Sequence, residues 1–365
     1  MNGRILLTAL VLCRVTTQLQ PQSNVWNSDF KLTAAQIAAA NISHETAANV
    51  ETALRFERTN NAGKLIQHDA FHDLPASYDP GNPPAAGTIL KVEEFTNVSE
   101  YTLPMSLSMS RFLYTTETFN GTVMPASAYV LWPYLPRTFP GLRSCSGKQD
   151  DDDPLYPVIA LAHGTSGQMQ ACAPSGLRNL WDHFQEPFPY ALAGYAIVAP
   201  DYLGLGVANT TSPYFVLPSQ ANDLFYAVEA AQQAWFDSLS KEFVVAGQSQ
   251  GGGVAWAAAQ RQVEKPVEGY LGTVAASPFT DVLGIIAADS LSQDNGRVVG
   301  IAQGLHNVLP DFEMSDWITE AGIARWELMQ EIQGCGVTGG QLFSAEGGTV
   351  DPQELLELDR LRLLV

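Results

Sequence analysis

The segment Phe243–Gly253 constrains the fold of this chain more than any other. A short β-branched run leads directly into Gly-x-Ser-x-Gly, and an alanine-rich stretch follows. This pattern is typical of a nucleophile elbow, a tight strand-to-helix turn that exposes a serine hydroxyl so that a base can deprotonate it. We therefore predict Ser249 as a nucleophile. Gly247 and Gly251 leave the room that the strand and the helix need beside the turn.

Strands and helices alternate along the second half of the chain. We predict strands at 157–162, 195–200, 243–246 and 270–276, with a helix over Asn222–Leu239. Three earlier β-rich segments, at 89–95, 109–116 and 126–133, fit antiparallel strands at one edge. The alternation predicts an α/β fold with a mostly parallel sheet covered on both faces. Its site should lie at the carboxyl ends of the strands, where His163, Asp201 and Ser249 follow strands.

The first residues predict export of the protein. One positive charge precedes the apolar run Ile5–Cys13, which is too short to span a bilayer and is typical of a signal peptide over residues 1–22. Four Asn-x-Ser/Thr sequons are candidate glycosylation sites and agree with a secreted protein; they begin at Asn41, Asn97, Asn120 and Asn209. Residues 23–87 form an N-terminal lead-in with a predicted helix over Thr33–Leu54, and the α/β core spans 88–276.

Composition excludes several classes of partner. The formal net charge is -19, so nucleic acid and anionic membranes would repel the protein, and no later stretch is apolar enough for a transmembrane helix. Cleavage of the signal peptide would leave Cys145, Cys172 and Cys335, so one cysteine would lack a disulfide partner. No two of these cysteines have the spacing of metal ligands, and we therefore predict no metal site. The acidic run Asp150–Asp153 is interpreted as a solvated loop, with a calcium site as the alternative.

Several motifs in order resemble one family, the fungal-type secretory lipases of the α/β-hydrolase superfamily, which contains the yeast lipase A enzymes. The motifs are His163-Gly-Thr-Ser-Gly, Cys172-Ala-Pro-Ser, Asp201-Tyr-Leu-Gly-Leu-Gly206, Gly247-Gln-Ser-Gln-Gly-Gly-Gly253 and Ala275-Ala-Ser-Pro-Phe-Thr-Asp281. Gln248 replaces the His or Tyr that family members often carry there. The resemblance implies an α/β-hydrolase fold, a helical lid over 277–345 and hydrolysis of carboxylic esters without a cofactor. It also implies a Cys172–Cys335 disulfide that clamps the lid to the oxyanion loop.

Acyl transfer through Ser249 would need two oxyanion donors. The backbone N–H of Gln250 is one because it follows the nucleophile. The loop after His163 should supply the other, and the resemblance favours Ser166 or Gly167 over Thr165. His163 lies upstream of the nucleophile, so we interpret it as a residue that braces the loop and not as the base.

The acid and the histidine of this fold follow the nucleophile in sequence, and here they are hard to find. His306 is the only later histidine, and the acids near it, Asp281, Asp289 and Asp311, lie in the lid-like stretch. His306 is therefore a weak candidate base, and we expect the sequence to be incomplete at its C-terminus, beyond a terminal helix over 346–365. Two alternatives stay open: an inert lipid-binding pseudo-hydrolase, and a peptidase or acyltransferase on the same fold. The sequence does not predict the oligomeric state.

Overall fold

A seven-stranded mixed sheet forms the centre of the molecule. The computed structural model describes residues 29–147, 155–282, 284, 286, 295–343 and 355–357. The strands are β1 (Ile89–Glu93), β2 (Leu107–Glu117), β3 (Val123–Pro133), β4 (Tyr156–Ala162), β5 (Ala196–Pro200), β6 (Leu239–Gln248) and β7 (Tyr270–Ala276). Their order is β1-β2-β3-β5-β4-β6-β7. The first three are antiparallel, β5, β4, β6 and β7 are parallel, and β3 meets β5 antiparallel. The predicted strands and their mixed arrangement are confirmed.

Helices cover both faces of this sheet and build a second core above it. They are α1 (Ala34–Ala39), α2 (His44–Thr59), α3 (Pro187–Leu192), α4 (Leu217–Ala234), α5 (Gln250–Glu264), α6 (Asn295–His306), α7 (Glu320–Ile332) and α8 (Gly336–Phe343). Helices α4 and α5 pack on one face and α3 on the other, because alternate residues of each buried strand point to opposite faces. Helices α1 and α2 share a separate apolar cluster with α6, α7 and α8. The lead-in and the lid-like segment therefore pack against each other.

Two predicted helices have the wrong bounds. The helix predicted over Thr33–Leu54 is two helices, because Asn41 has φ 48° and the Ser43 hydroxyl accepts the Thr46 N–H to begin α2 anew. The helix predicted over Asn222–Leu239 begins earlier, at Leu217, where Pro218 suits the first turn. It also ends earlier, because Leu239 already pairs with Tyr156 at the start of β6.

Several predictions lie outside the described residues: the signal peptide 1–22, the acidic run Asp150–Asp153, Asp289 and most of the terminal segment 346–365. Within that last segment, Leu356 forms an isolated antiparallel bridge with Ile318. Among the helices of the described ranges, none is long and apolar enough to cross a membrane.

Candidate active site

Ser249 lies in a strained turn between β6 and α5. Its backbone has φ 61° and ψ -121°, a region that non-glycine residues rarely adopt and that costs about 1–3 kcal/mol. A Cβ on Gly247 would overlap the Gly251 carbonyl oxygen, and one on Gly251 would overlap the Ala162 carbonyl oxygen of β4. The Ser249 N–H donates to the Ala276 carbonyl at the end of β7 (3.1 Å). The turn therefore has the geometry that the sequence pattern predicts.

Two sets of backbone N–H groups are available around Ser249. Gln250 is the first residue of α5, so its N–H is one of the unpaired donors at a helix N-terminus. The N–H groups of Thr165, Ser166 and Gly167 donate to no acceptor among the described residues. Thr165 and Gly167 line the same cavity as Ser249, whereas Ser166 lines a neighbouring cavity. The choice among these loop residues stays a prediction.

A disulfide and a backbone hydrogen bond join the segment 165–172, called the oxyanion loop after its predicted role, to the start of α8. Cys172 and Cys335 form the disulfide that the family resemblance implies, and the Gly336 N–H donates to the Ser166 carbonyl (3.3 Å). Gly167 has φ +148°, and a Cβ there would lie 2.9 Å from the Cβ of Cys172. The disulfide thus packs directly on the loop that would supply an oxyanion donor. Cys145 has no disulfide partner in the part of the chain that the structure describes, and it is exposed.

Glu57 of α2 binds the N-terminus of α8, which sequence reasoning missed. Its carboxylate accepts from the Cys335 N–H (2.8 Å), the Thr338 N–H (2.7 Å) and the Thr338 hydroxyl (2.7 Å). Burial raises the pKa of Glu57, although these hydrogen bonds oppose the rise. A carboxylate at this end of a helix is stabilised by the helix dipole. Its partners are 278 and 281 residues away, so no local signal could identify the contact.

The cavity that contains Ser249 has a volume of about 250 Å³ and a largely apolar wall. Phe279, Trp326, Met329 and Phe343 supply the large side chains, and one face of α8 supplies glycines at positions 336, 339 and 340. A Cβ on Gly340 would meet nothing within 4 Å, so this glycine leaves open space. Among the described residues of the wall, Arg297 is the one charged side chain. The site therefore suits an apolar group beside the serine.

Comparison with known proteins agrees with this geometry. A model of the alpha/beta hydrolase family matches residues 159–357, more than half of the chain. The chain belongs to the alpha/beta hydrolase family. A ligand-bound form of the rice cell wall degrading esterase LipA from Xanthomonas oryzae is similar in structure, with TM-score 0.55 and 19% identity over 77% of this chain and 76% of that chain. The closed state of Candida antarctica lipase A is also similar in structure, with TM-score 0.56 and 16% identity over 82% of this chain and 66% of that chain. None of the curated proteins matches the chain.

Alpha/beta hydrolases activate their serine through a histidine, and the structure does not bring His306 to Ser249. His306 is the last residue of α6; its Nδ1 lies 2.9 Å from the Phe312 carbonyl oxygen, and its side chain is 42% exposed. Asp281 accepts the Gly284 N–H (2.9 Å). The described part of the cavity wall contains no histidine and no carboxylate.

His163 is buried in the turn after β4 and braces it, which agrees with its predicted role. Its Nδ1 lies 2.6 Å from the Gly164 carbonyl oxygen and its Nε2 lies 3.2 Å from that of Asp201. The ring stacks on Tyr202 with centroids 4.2 Å apart. Burial lowers the pKa of His163. The side chain joins the loops after β4 and β5 and is not exposed to a substrate.

A serine–histidine contact that does not involve Ser249 lies in the interior of the hydrolase. His72 Nε2 is 3.2 Å from Ser175 Oγ, and Ser175 donates its hydroxyl (2.6 Å) and its N–H (2.7 Å) to Asp201. All three side chains are buried, and burial lowers the pKa of His72 to about 3. A substrate cannot reach this serine, so the network fixes the Cys172-Ala-Pro-Ser motif against β5.

Two acidic side chains, Asp182, which is half-buried, and Glu186, which is buried, lie beside the oxyanion loop. The Gly164 N–H donates to Asp182 Oδ2 (3.0 Å), and Asp182 lies between Trp181 and His183, whose φ angles of 63° and 26° are strained. Glu186 is 4% exposed; burial first, and then the neighbouring Asp182, raise its pKa to about 8. Glu186 is therefore protonated at neutral pH and donates to Asp182. Sequence reasoning missed this pair.

The described residues contain no group of three or more His, Cys, Asp or Glu side chains that could hold a metal ion.

Proposed function

We propose that this alpha/beta hydrolase cleaves carboxylic esters with an apolar acyl group, through an acyl-enzyme on Ser249. The observation that carries the proposal is a strained serine that lines an apolar cavity, next to backbone N–H groups that have no acceptor among the described residues. Ser249 Oγ would attack the ester carbonyl carbon and lose its proton to a base. The tetrahedral oxyanion would expel the alcohol, which takes up a proton.

Water would then attack the acyl-enzyme, release the acid and return the proton to Ser249. The Gln250 N–H and one N–H of residues 165–167 would stabilise the oxyanion in both steps. The apolar wall of the cavity would bind the acyl chain, since Phe279, Trp326 and Phe343 offer contacts to methylenes and few to a polar peptide.

The test compares wild type with Ser249→Ala on p-nitrophenyl esters of acetate, butyrate and octanoate. We expect kcat/KM to fall at least about 10³-fold in the variant, because the nucleophile is lost while the cavity is kept. We also expect wild type to prefer octanoate to acetate. Equal rates for the two proteins would show that turnover does not depend on Ser249.

A second candidate, a lipid-binding protein without turnover, is favoured by one observation: the described cavity wall lacks a histidine and a carboxylate. Such a protein would bind a fluorescent fatty acid with equal affinity before and after Ser249→Ala and would hydrolyse none of the three esters. Hydrolysis by wild type that disappears in Ser249→Ala would exclude this candidate.

We also propose that the protein acts outside the cell. The disulfide suits an oxidising compartment, and the sequon asparagines Asn41, Asn97, Asn120 and Asn209 are all exposed. Expression in a eukaryotic secretory host tests this proposal. We expect glycosylated protein in the medium with an N-terminus near residue 23, and retention of the uncleaved chain in cells would contradict it.

A further inference from the structure

A second cavity, the amide cleft, lies between the β5–α4 connection, the oxyanion loop and the lid helices α6 and α7. Its volume is about 300 Å³. Residues 207–212 form one side, and Gln168 and Gln170 form a second. The third side consists of Gln303 of α6, Asn307 directly after α6, and Trp326 of α7. The cleft is next to the Ser249 cavity, since Trp326 and Gln168 belong to both walls.

The chemistry of this wall is neutral and rich in hydrogen-bonding groups. Asparagine, glutamine, serine and threonine side chains dominate it, and none of its described residues is charged, in a chain whose net charge is -19. Amides and hydroxyls both donate and accept, which matches a ligand whose own hydroxyls do the same. An ionic ligand would lack a counter-charge there, and an alkyl chain would bury the amides without partners.

Three polar side-chain atoms of the wall residues have no hydrogen-bond partner in the described part of the chain. Gln168 Oε1, Gln333 Oε1 and Trp326 Nε1 are buried and make no hydrogen bond to any described residue. Trp326 is only 5% exposed, so solvent does not readily replace the missing bond. Buried polar groups without partners are destabilising. A small rotation of these side chains toward the cleft would let a ligand pair with them.

Other amides of the cleft are held in place by the protein itself. The Asn307 side chain donates to the Ser212 carbonyl (3.0 Å), and Gln303 donates to Asn307 Oδ1 (2.8 Å). Gln170 donates to the Gly206 carbonyl (2.9 Å). These bonds tie the lid helix α6 to the β5–α4 connection, so the cleft is organised without a ligand, which lowers the cost of ordering on binding.

We propose that the amide cleft binds a neutral saccharide. Two sources have the same chemistry: a free oligosaccharide, or the first sugars of a glycan attached to Asn209, an exposed sequon asparagine in the wall. The inference does not depend on the chemistry of Ser249, so its failure would leave the proposed function untouched.

The first arm of the test uses protein from a host that does not glycosylate. Titration with N,N′-diacetylchitobiose and with cellobiose is followed by calorimetry and by tryptophan fluorescence. We expect saturable binding of at least one sugar, weakened about five-fold by Gln303→Leu through the loss of one hydrogen bond. Gln260→Leu, on an exposed position of α5, is the matched control and should bind as wild type. Trp326→Phe keeps an aromatic ring but removes the indole N–H, and it provides a second variant.

The second arm uses protein from a secretory host. Mass mapping measures occupancy of Asn209, and hydrogen exchange compares residues 207–212 and 326–333 in wild type and Asn209→Gln. Faster exchange in Asn209→Gln, with Asn120→Gln unchanged as control, would assign the cleft to the glycan. Sugar binding in the first arm would assign it to a free saccharide. No binding in the first arm together with unaltered exchange in the second overturns the proposal.

Discussion

We expect the protein to become less stable as pH rises, and we expect the Glu186→Gln variant to lose much less stability over the same pH range. In wild type, burial and Asp182 raise the pKa of Glu186 from 4.5 to about 8. Below pH 4.5 Glu186 is protonated in both the folded and the unfolded chain, and its contribution to the free energy of unfolding is fully present. Between these values the unfolded chain releases the proton while the folded chain keeps it, so stability falls as pH rises. Above about pH 8 the loss is complete.

The magnitude follows from the two pKa values. At about 1.4 kcal/mol per pKa unit, the loss amounts to about 5 kcal/mol, a large share of the 5–15 kcal/mol of a typical domain. Glutamine keeps a hydrogen-bond donor for Asp182 but cannot ionise. The difference in unfolding free energy, wild type minus Glu186→Gln, should therefore fall by several kcal/mol from about pH 5 to about pH 9.

Guanidinium titrations at several pH values measure this difference directly. Other groups whose pKa is raised by burial, such as Glu57 and Asp223, are present in both proteins and cancel. Glu327→Gln, on an exposed position of α7, is the control and should follow wild type throughout. Parallel curves for wild type and Glu186→Gln would refute the reasoning, because they would mean that Glu186 titrates alike in both states.

Four further predictions concern the disulfide, the turn at Ser249 and the cavity. The double variant Cys172→Ala/Cys335→Ala, which removes a link across a sequence separation of 163, should cost about 3–5 kcal/mol relative to wild type in a guanidinium titration; a cost below 1 kcal/mol would contradict it. Gly251→Ala should cost more than about 3 kcal/mol or prevent folding, because its Cβ overlaps the Ala162 carbonyl. Gly340→Ala, inside α8 and facing open space, should instead stabilise by about 0.5–1 kcal/mol, and a destabilised Gly340→Ala would show that the space is not open. Gly340→Leu should weaken binding of a long-chain fluorescent fatty acid more than a short one, and equal affinities would place the acyl group elsewhere.

The elements that sequence analysis predicts well are those with local causes. The turn at Ser249 is specified by its neighbouring glycines and by the strand and helix on either side. The strands follow from β-branched runs between turn residues. The predicted bounds of α4 were wrong because apolar residues recur at helical spacing from Asn222 to Leu239, whereas the pairing of Leu239 with β4 decides where the helix must end.

The contacts that shape the site are long-range, and no local pattern marks them. Glu57 meets α8 across more than 270 residues. Asp182 and Glu186 are close in sequence, but only burial beside the oxyanion loop makes them a proton-sharing pair. His72 has an ordinary sequence context, yet the fold brings it to Ser175. Side chains of this kind can be assigned only once tertiary packing is known.

The most direct test of the account is the reaction of the protein with a fluorophosphonate probe, followed by intact mass measurement and peptide mapping. The account predicts a single adduct on Ser249, absent from Ser249→Ala and slowed by octanoate, which would compete for the apolar cavity. Folded wild-type protein that binds a fluorescent fatty acid but forms no adduct would contradict the account and leave a lipid-binding protein without turnover.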